Sequence, residues 1–347
     1  MTVGIYDPYL HILGGAERYI LSIAQCHKNA NLTVFGEEKY SKLAAIKFGI
    51  PTAHIKCVAW PKDRNKRRQI LSQFDLFYYV TDGSIFLTNA KKNILIIQSP
   101  SHIPQHILLN RVKLLSWQRI ICYSQYMAKI IGGRLQKKAM PLFVPVANTP
   151  GTEVKKENII LSVGRFFPHL HNKKQLEMIS IFKELYSEGL KDTTFYLVGS
   201  IDPGAQGLFD TINQAAQGFP IKLITNATYE ELLELYRKAK IYWHATGFGE
   251  DLLLNPERAE HFGVSTIEAM QQASVPVVFA GGGQVEIVNN GENGFTWLKK
   301  EELKKYTREL IKNESLRLRM AVKAQTSAGL YNKHAFCEEL HEILENK

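Results

Sequence analysis

Four charged side chains have the types and spacing needed to bind an anionic group and to stabilise charge on it. Glu260 and Glu268 are eight positions apart. Arg165 follows a predicted strand, and a lysine precedes the next predicted helix, whose apolar register favours Lys173 over Lys174. An arginine provides a rigid fork of donors and a lysine a mobile point charge, so this pair suits a diphosphate leaving group. The alternative for Arg165 is a surface salt bridge.

The elements around the two glutamates predict where such a group would sit. A helix is predicted over residues 265–273, and Ser265 or its neighbour can cap it. The first turn of a helix offers free N–H groups and the positive end of the dipole, which favour an anion. The next predicted strand, 275–280, ends in Gly281, Gly282 and Gly283, which allow close backbone approach to a ligand. The alternative is a surface loop followed by an amphipathic helix with two solvated glutamates.

The length and composition indicate an ordinary globular protein. At 347 residues the chain exceeds what a single core usually serves, so two domains are expected. Hydrophobic residues make up 45% and charged residues 22% of the chain, and no apolar run approaches the length of a membrane span. The N-terminus begins with a strand-like segment rather than a signal peptide. We therefore expect a cytoplasmic protein.

Charge and cysteine usage limit the possible partners. The formal net charge of +10 implies attraction to an anionic partner: a nucleotide diphosphate, an anionic lipid headgroup or a nucleic acid. Nucleic acid is disfavoured because the sequence has neither zinc-ligand spacing nor an RNP-like aromatic run. The cysteines show no metal-ligand spacing, so we expect no metal site and reduced, mostly buried thiols at Cys26, Cys57, Cys122 and Cys337.

Strands alternate with helices along both halves of the chain, which predicts parallel sheets covered by helices. Ligands of such sheets bind at the carboxyl ends of the strands. In the N-terminal half this draws attention to the turn at Gly14 and Gly15, to 82–84 and to 98–102. Glu37 and Glu38 lie about 20 residues after the glycine turn, as in a dinucleotide-binding fold, but G-x-G-x-x-G is absent. A plain tight turn is the alternative for Gly14 and Gly15.

Several local signals define helix ends and a domain boundary. A helix is predicted over 175–187, Ser124 is predicted to cap the helix after it, and Thr228 with Glu231 forms a capping box. His244 lies at the end of a predicted strand, where a packed residue is expected rather than a catalyst. Residues 144–158 lack periodicity and contain prolines and charges, as a linker between domains does.

The complete C-terminal motif resembles a known family. Glu260-x7-Glu268 with Phe262-Gly263, then Pro276-Val277-Val278 and Gly282-Gly283-x-x-Glu286, is similar to the donor-site signature of family-4 retaining glycosyltransferases of the GT-B fold, the glycosyltransferase group 1 family. Its Glu-His-Phe-Gly variant resembles that of mannosyltransferases that build lipid-linked oligosaccharide. Gly14-Gly15-Ala16-Glu17 resembles the family turn that approaches the donor diphosphate and the acceptor.

The resemblance implies an α/β architecture and a domain organisation. The GT-B fold has two Rossmann-like domains facing each other across a cleft. The expected division is an acceptor-side domain over 1–148, a nucleotide-sugar-binding domain over 149–330, and a C-terminal helix over 331–347 that packs back on the first domain. Crossing back would couple hinge closure to ligand binding.

The resemblance also implies a reaction. A hexosyltransferase of this family moves a sugar from a nucleotide-diphosphate donor, GDP-mannose-like or a UDP-sugar, to a glycan or lipid-linked hydroxyl with retention of configuration. No Asp-x-Asp triplet is present, so metal-independent transfer without a cofactor is expected. The implied catalytic residues are Glu260, Arg165, Lys173 and His102. The implied donor-binding residues are Gly14, Gly15, Gly164, Thr225, Asn226, Phe262, Gly263, Val264, Ser265, Thr266 and Glu268.

Two departures from the family pattern leave alternatives open. The loop after the strand at 94–98 often begins with a histidine in relatives, whereas this chain has Gln98; His102 could supply an imidazole from the same loop. Ser274 stands where relatives usually carry glycine. The alternatives are an inactive nucleotide-sugar or anionic-lipid binding module, and another GT-B enzyme such as a nucleotide-sugar epimerase or a phosphorylase.

Basic residues in the N-terminal half suggest a membrane-facing surface. Family members that glycosylate lipid carriers often dock on anionic membranes, so a peripheral location on the cytoplasmic face is expected. A solvated charged face is the alternative. The residues concerned are Lys62, Arg64, Lys66, Arg67 and Arg68, and then Arg111, Lys113 and Arg119 among Leu108, Leu109, Leu114, Leu115 and Trp117.

Overall fold

The computed structural model describes residues 1–12, 15–49, 55–105, 107–147, 149, 154–170 and 172–345. Gly14, one of the predicted donor-binding residues, lies outside these ranges. The chain divides into two compact units. Unit 1 comprises Met1–Pro145 with Lys333–Lys347, and unit 2 comprises Val146–Asn332.

Unit 1 is built on a parallel sheet whose described part has seven strands in the order β3-β2-β1-β4-β5-β6-β7. All five residues of the strand at Leu76–Val80 are buried, as expected for a central strand covered on both faces. The strands are β1 Thr2–Tyr6, β2 Asn31–Phe35, β3 Ile55–Val58, β4 Leu76–Val80, β5 Lys92–Ile96, β6 Arg119–Cys122 and β7 Ala139–Pro141.

The helices of unit 1 connect these parallel strands. Ser124 caps one of them as predicted, because its side chain accepts a hydrogen bond from the Met127 backbone N–H. The helices preceding the linker are α1 Gly15–Cys26, α2 Glu38–Phe48, α3 Arg64–Leu71, α4 Leu108–Leu114 and α5 Gln125–Leu135.

Unit 2 repeats the architecture with a parallel sheet of six described strands, in the order β10-β9-β8-β11-β12-β13. Two strands whose carboxyl ends carry site candidates, those at Glu157–Val163 and Ala239–His244, are neighbours. The strands are β8 Glu157–Val163, β9 Thr194–Gly199, β10 Ile221–Thr225, β11 Ala239–His244, β12 Val275–Phe279 and β13 Phe295–Trp297.

The helices of unit 2 pack on two apolar clusters. The larger includes Phe182, Phe195, Trp243 and Trp297, and the smaller includes Tyr236, Tyr242 and Ala269. The predicted capping box of Thr228 and Glu231 is present. The helices are α6 Gln175–Ser187, α7 Gln206–Ala216, α8 Tyr229–Lys238, α9 Val264–Gln271, α10 Gln284–Ile287, α11 Lys300–Lys312 and α12 Glu314–Ala328.

The last helix, α13 Lys333–Glu345, belongs to unit 1 and packs against α1. A disulfide joins Cys26 at the end of α1 to Cys337 on α13. The expectation that all four thiols are reduced is therefore wrong for this pair, whereas Cys57 and Cys122 keep their thiols. The two bonded cysteines are 311 positions apart in the sequence, so neither their spacing nor a local motif could indicate the pairing.

Two further expectations are corrected by packing. Leu114 and Trp117, which the sequence places on a membrane-facing surface, are buried in the core of unit 1, where the Trp117 indole N–H donates to the Phe86 carbonyl. Composition does not show which positions of one short segment are buried and which are exposed.

None of the helices in the described ranges is both long and apolar enough to cross a bilayer. The predicted architecture of two parallel α/β sheets is confirmed.

Candidate active site

Glu260 forms the centre of a polar network in unit 2. Its Oε2 lies 2.7 Å from the Lys173 Nζ and 2.9 Å from the His244 Nε2. Lys173 precedes α6 and His244 ends β11, so two loops and one strand end supply the three side chains. The Lys173 and Glu260 side chains are 22% and 18% exposed, and His244 is almost fully buried. A ligand can therefore reach the lysine and the carboxylate from solvent.

The network keeps Glu260 ionised. Burial by itself would raise its pKa, but the positive charge of Lys173 and the hydrogen bond from His244 hold the pKa well below the ordinary value of 4.5. Burial lowers the pKa of His244, against the opposing effect of Glu260. At neutral pH the site consequently contains the Glu260 carboxylate beside the Lys173 ammonium group. The neutral His244 imidazole donates a hydrogen bond from its Nε2–H to that carboxylate.

A glycine turn supports the backbone at Glu260. The Gly283 N–H donates to the Glu260 carbonyl over 2.8 Å. Gly282 has a φ of 67°, and a Cβ there would lie 2.0 Å from the same carbonyl oxygen. Only glycine fits both the conformation and the space. The turn after β12 thus packs directly on the Glu260 segment.

The start of α9 differs from the prediction. The helix begins at Val264, its N-cap residue is Gly263, and no side chain caps it. Ser265 lies within the first turn, where its Oγ accepts a 2.7 Å hydrogen bond from the Tyr242 hydroxyl. The predicted Ser265 cap is therefore wrong. Gly263 has a φ of 131°, and a Cβ would meet the Gln284 Nε2 at 2.7 Å, so a glycine is required there.

Other donor-site candidates around α9 are packed rather than exposed. Phe262 is 5% exposed and its ring contacts Tyr331 edge to face. Thr266 is fully buried and donates from its hydroxyl to the Gln284 Oε1 over 3.0 Å. Both side chains fix the helix start, so any contact they make with a ligand would come from their backbones.

Gly164 and Arg165 follow β8 at the same edge of the sheet. A Cβ on Gly164 would meet the Lys173 Cγ at 2.7 Å, so the missing side chain makes room for the lysine. Arg165 forms a 2.8 Å ion pair with Asp202 while its side chain stays 58% exposed. An exposed ion pair contributes little stability. An anionic ligand could therefore replace Asp202 as the partner of Arg165 at little cost in stability.

Glu268 is held by an aromatic hydroxyl, since the Tyr236 hydroxyl donates to its Oε2 over 3.1 Å. Tyr236 belongs to α8 and is buried. Thr225 ends β10 and Asn226 follows it with a φ of 57°. Asparagine is among the few non-glycine residues that adopt this left-handed conformation readily. Asn226 can therefore hold this turn without a glycine.

The remaining candidates belong to unit 1. Gly15 is the first residue of α1 and is exposed. His102 ends a short 3-10 helix, and its ring stacks on Tyr9 with centroids 5.6 Å apart. Burial lowers the pKa of His102, and Asp82 partly opposes that effect. Its Nδ1 is buried without a hydrogen-bond partner. The ring is therefore neutral at pH 7.

The sequence did not indicate four members of this arrangement: the link from His244 to Glu260, Asp202 as partner of Arg165, and the tyrosines at 236 and 242 that bind Glu268 and Ser265. Each contact joins residues distant in the chain. The one available signal was the position of His244 at the end of a central strand.

Within the described ranges, no group of three His, Cys, Asp or Glu side chains is arranged to hold a metal ion.

The sequence matches a protein-family model, and this match assigns the chain to a family. The model described as "Glycosyl transferases group 1" matches residues 148–327, which contain the whole Glu260 network. The chain belongs to the group 1 glycosyl transferases. The resemblance read from the motif is confirmed at this level.

One curated relative is GDP-Man:Man(3)GlcNAc(2)-PP-Dol alpha-1,2-mannosyltransferase of Neurospora crassa. It is 24% identical over 205 residues, a match that covers 57% of this glycosyltransferase and 35% of the relative. The chain thus spans about a third of the length of that relative.

Solved structures resemble the entire chain. Anabaena HepE in complex with UDP and glucose has a TM-score of 0.70 and 17% identity, with 99% of each chain covered. A glycosyltransferase from Rickettsia africae has a TM-score of 0.76 and 15% identity over 100% of this chain and 99% of its own. Sucrose-phosphate synthase from Thermosynechococcus elongatus has a TM-score of 0.72 and 13% identity, covering 99% and 98%. The GT-B fold class is confirmed.

Proposed function

We propose that this glycosyltransferase moves a hexose from a nucleotide-diphosphate sugar to a hydroxyl of a glycan or lipid-linked acceptor, with retention of configuration and without a metal ion. The observation that carries the proposal is the ionised Glu260, placed between Lys173 and His244 at the carboxyl edge of the unit 2 sheet. The bound forms of its structural relatives support a nucleotide-sugar donor, since HepE is bound to UDP and glucose.

Glu260 would act on the sugar. Departure of the diphosphate leaves positive charge on the anomeric carbon, and a carboxylate kept ionised by Lys173 and His244 stabilises that charge without reorganising. Its second oxygen, Oε1, would accept a hydrogen bond from a sugar hydroxyl. His244, neutral and buried, positions the carboxylate and is not expected to exchange protons with the substrate.

Lys173 and Arg165 would stabilise the leaving diphosphate. Lys173 can turn from Glu260 towards a phosphate oxygen because its Nζ is mobile and partly exposed. Arg165 can exchange its exposed pair with Asp202 for a bidentate contact to phosphate. The first turn of α9, uncapped by any side chain, adds backbone N–H donors at Val264 and Ser265. Together these groups replace the charge that a divalent metal would supply.

Retention needs no covalent intermediate in this scheme. The acceptor hydroxyl attacks the face from which the diphosphate departs, and a diphosphate oxygen takes the hydroxyl proton. Glu268, oriented by Tyr236, would accept hydrogen bonds from the ribose hydroxyls. Anomeric NMR signals of a product formed from an α-linked donor test this: an α-linked product is expected, and a β-linked product would refute retention.

Two donor bases are supported to a similar degree. The Neurospora relative is named for GDP-mannose, and HepE is bound to UDP. Thermal unfolding of the protein with UDP, GDP and ADP, and with their sugar conjugates, tests the donor site, because ligands that bind only the folded state raise its melting temperature. A shift with one base, unchanged by EDTA, is expected.

A variant of Glu268 and a matched control variant test whether the nucleotide binds at the proposed donor site. Glu268→Gln should reduce the nucleotide-induced shift, whereas Glu234→Gln on the exposed face of α8 should not. If no nucleotide shifts wild-type protein, the donor site is refuted. If nucleotides bind but sugar is never transferred, the chain is the inactive binding module; conversion of the free nucleotide sugar would instead indicate an epimerase. Ser274 has a structural role, since its single hydroxyl proton is shared between the Tyr236 and Ala239 carbonyls, so its presence does not favour the inactive module.

We also propose that α4 docks on an anionic membrane surface, which would make the protein peripheral on the cytoplasmic face. Five large apolar side chains of this segment are between 48% and 80% exposed, and Arg111 and Lys113 lie among them. Such an arrangement is typical of interfacial helices, in which each basic residue near the surface adds about 1 kcal/mol. The exposed residues are Ile107, Leu108, Leu109, Val112 and Leu115.

Vesicle sedimentation tests this docking. The protein should sediment with phosphatidylglycerol vesicles more than with phosphatidylcholine vesicles, and Leu108→Ser with Leu115→Ser should abolish the difference. The matched control is Leu318→Ser with Val322→Ser, which removes comparably exposed apolar side chains from α12. Equal loss in both double variants would contradict a specific role of α4.

A further inference from the structure

Unit 2 contains a polar cavity of about 410 Å³ that the proposed glycosyl transfer does not use. Its walls come from two segments, the loop at 168–174 between β8 and α6 and the segment at 250–258 between β11 and α9. Of the described residues, Lys174 lines the cavity, whereas Lys173, His244 and Glu260 do not. The cavity is therefore a site other than the Glu260 network.

Two consecutive lysines serve the two sites. The Lys173 Nζ bonds to Glu260, whereas the Lys174 Nζ lies 2.7 Å from the Glu250 Oε1. Lys174 has a φ of 57°, which is uncommon for lysine, and its N–H donates to the Asn172 Oδ1 over 2.7 Å. Backbone strain of this kind is concentrated at ligand clamps and active sites. The turn held by Asn172 thus places the Lys174 side chain in the cavity wall, where it is only 12% exposed.

The polar side chains that line the cavity are mostly hydrogen-bond donors. Both oxygens of the Glu250 carboxylate are already engaged, Oε1 by Lys174 and Oε2 by the Arg258 Nη1 over 2.6 Å. Within the described residues, no partner is found for the Asn172 Nδ2 or for the other N–H groups of the Arg258 guanidinium. The His169 imidazole adds a donor nitrogen in either neutral tautomer. The lining therefore has spare donors, and its carboxylate is occupied.

The charges of the lining favour an anion. Hydrogen bonds from Lys174 and Arg258 lower the pKa of Glu250, so one negative charge faces two positive ones at neutral pH. Glu177 lies 3.6 Å from the Lys174 Nζ, but its side chain is 41% exposed and does not line the cavity, so water and salt screen its charge. Phosphoryl oxygens accept charge-assisted hydrogen bonds from guanidinium and ammonium groups. A phosphoryl group therefore matches both the charges and the spare donors.

We propose that this cavity binds a phosphoryl group, with the Lys174 Nζ, the Arg258 guanidinium and the Asn172 Nδ2 as its donors. The volume is within the range of pockets that bind small organic molecules and exceeds what orthophosphate alone would fill. Pro168 and Leu170 supply apolar wall for the molecule that carries the phosphoryl group. The site recognises its ligand without making or breaking a bond, and it does not depend on the proposed donor site.

Occupation of the cavity would connect its two walls. Lys174 directly follows Lys173 in the chain, and Arg258 lies two positions before Glu260. A phosphoryl group bound by Lys174 and Arg258 would therefore join the loop that carries Lys173 to the segment that leads to Glu260.

Phosphorus NMR titrations of the full chain test the proposal with two probes, orthophosphate and glucose 6-phosphate, at constant ionic strength set with potassium chloride. Both resonances should broaden saturably, and glucose 6-phosphate should bind at least about tenfold more tightly because it fills the cavity. Arg258→Gln should weaken binding of both probes at least about tenfold. Asn172→Asp should do the same, since it keeps the oxygen that accepts from the Lys174 N–H and replaces the amide donor with a carboxylate.

Glu250→Gln should have the opposite effect. It removes the negative charge that competes for both cations, so binding of both probes should strengthen at least about threefold. Such a gain cannot result from unfolding, which keeps the test decisive if Asn172→Asp fails to fold. Arg165→Gln is the matched control, because Arg165 is also an exposed arginine paired with one carboxylate but belongs to the donor site. It should leave binding in the cavity unchanged.

The outcomes separate the possible sites and sources of the ligand. Equal affinity for the two probes would identify free phosphate as the source of the phosphoryl group. Unchanged binding in Arg258→Gln, weaker binding in Glu250→Gln, loss of binding in Arg165→Gln instead, or no saturable broadening with either probe would overturn the proposal. Nucleotide-induced stabilisation of the same samples reports separately on the donor site, so failure of one site is distinguishable from failure of the other.

Discussion

Removal of the Lys173 charge should make the stability of the protein depend on pH in a new way. Lys173 and His244 hold the pKa of Glu260 below 4.5 against burial, so in wild type the Glu260 carboxylate stabilises the folded state above pH 4.5 and loses this effect as pH falls through the folded pKa. In Lys173→Met only His244 opposes burial. The pKa of Glu260 should then rise above 4.5, and stability should fall as pH rises through that new value.

The geometry sets the size of the effect. Two charges 2.7 Å apart at an effective dielectric of about 20 interact by about 6 kcal/mol before desolvation is subtracted. Removing one partner of a fully buried pair costs about 3–5 kcal/mol. Both side chains are about a fifth exposed, so solvent screening reduces the expected loss to about 2–3 kcal/mol at pH 8. At pH 5, where Glu260 in the variant can take up a proton, the loss should be about 1 kcal/mol.

Urea unfolding of wild type and variant at pH 5 and pH 8, followed by tryptophan fluorescence, measures these differences. Lys174→Met is the matched control. It removes the adjacent lysine from Glu250, which keeps a 2.6 Å ion pair with Arg258, so its loss should be the same at both pH values. The reasoning is refuted if Lys173→Met destabilises equally at pH 5 and pH 8, or if both variants show the same pH dependence.

Four further changes test other parts of the structure. Asp7→Asn should raise the melting temperature at pH 8 but not at pH 4, because burial raises the pKa of Asp7 to about 7 and makes wild-type stability fall between about pH 4 and pH 7, by up to about 4 kcal/mol; a shift at pH 4 would contradict this. Lys156→Met should cost about 1–3 kcal/mol in urea unfolding, since its Nζ donates to the Gln272 carbonyl and to the Tyr236 and Ala239 carbonyls, and only the latter two keep the Ser274 hydroxyl as a partner. Ala273→Gly should stabilise by about 0.5–1 kcal/mol, because Ala273 has a φ of 60°; a loss would show that its methyl packing matters more. Cys337→Ser should lower stability by about 2–4 kcal/mol, as the Cys26 crosslink spans 311 positions, and reducing agent should affect wild type but not this variant.

Local chemistry explains which features could be predicted from the sequence. The helix predicted over 175–187 is α6 Gln175–Ser187, and both the Ser124 cap and the Thr228–Glu231 capping box are present. These features depend on residues within three or four positions of one another, so periodicity and capping chemistry are sufficient. The motif around Glu260 and Glu268 identified the family for the same reason, because its members are close in the chain.

Contacts between distant residues were decided by the tertiary structure alone. The Lys173–Glu260 pair joins residues 87 positions apart, and His244 lies 16 positions before Glu260. The Ser265 cap failed because Tyr242, on a neighbouring strand, binds the serine hydroxyl. Trp117 is buried although its neighbour Leu115 is 80% exposed. The sequence determined which residue types were available at each strand end, whereas the parallel sheets determined which of them meet, because side-chain pairing and burial depend on the packing of whole strands and helices.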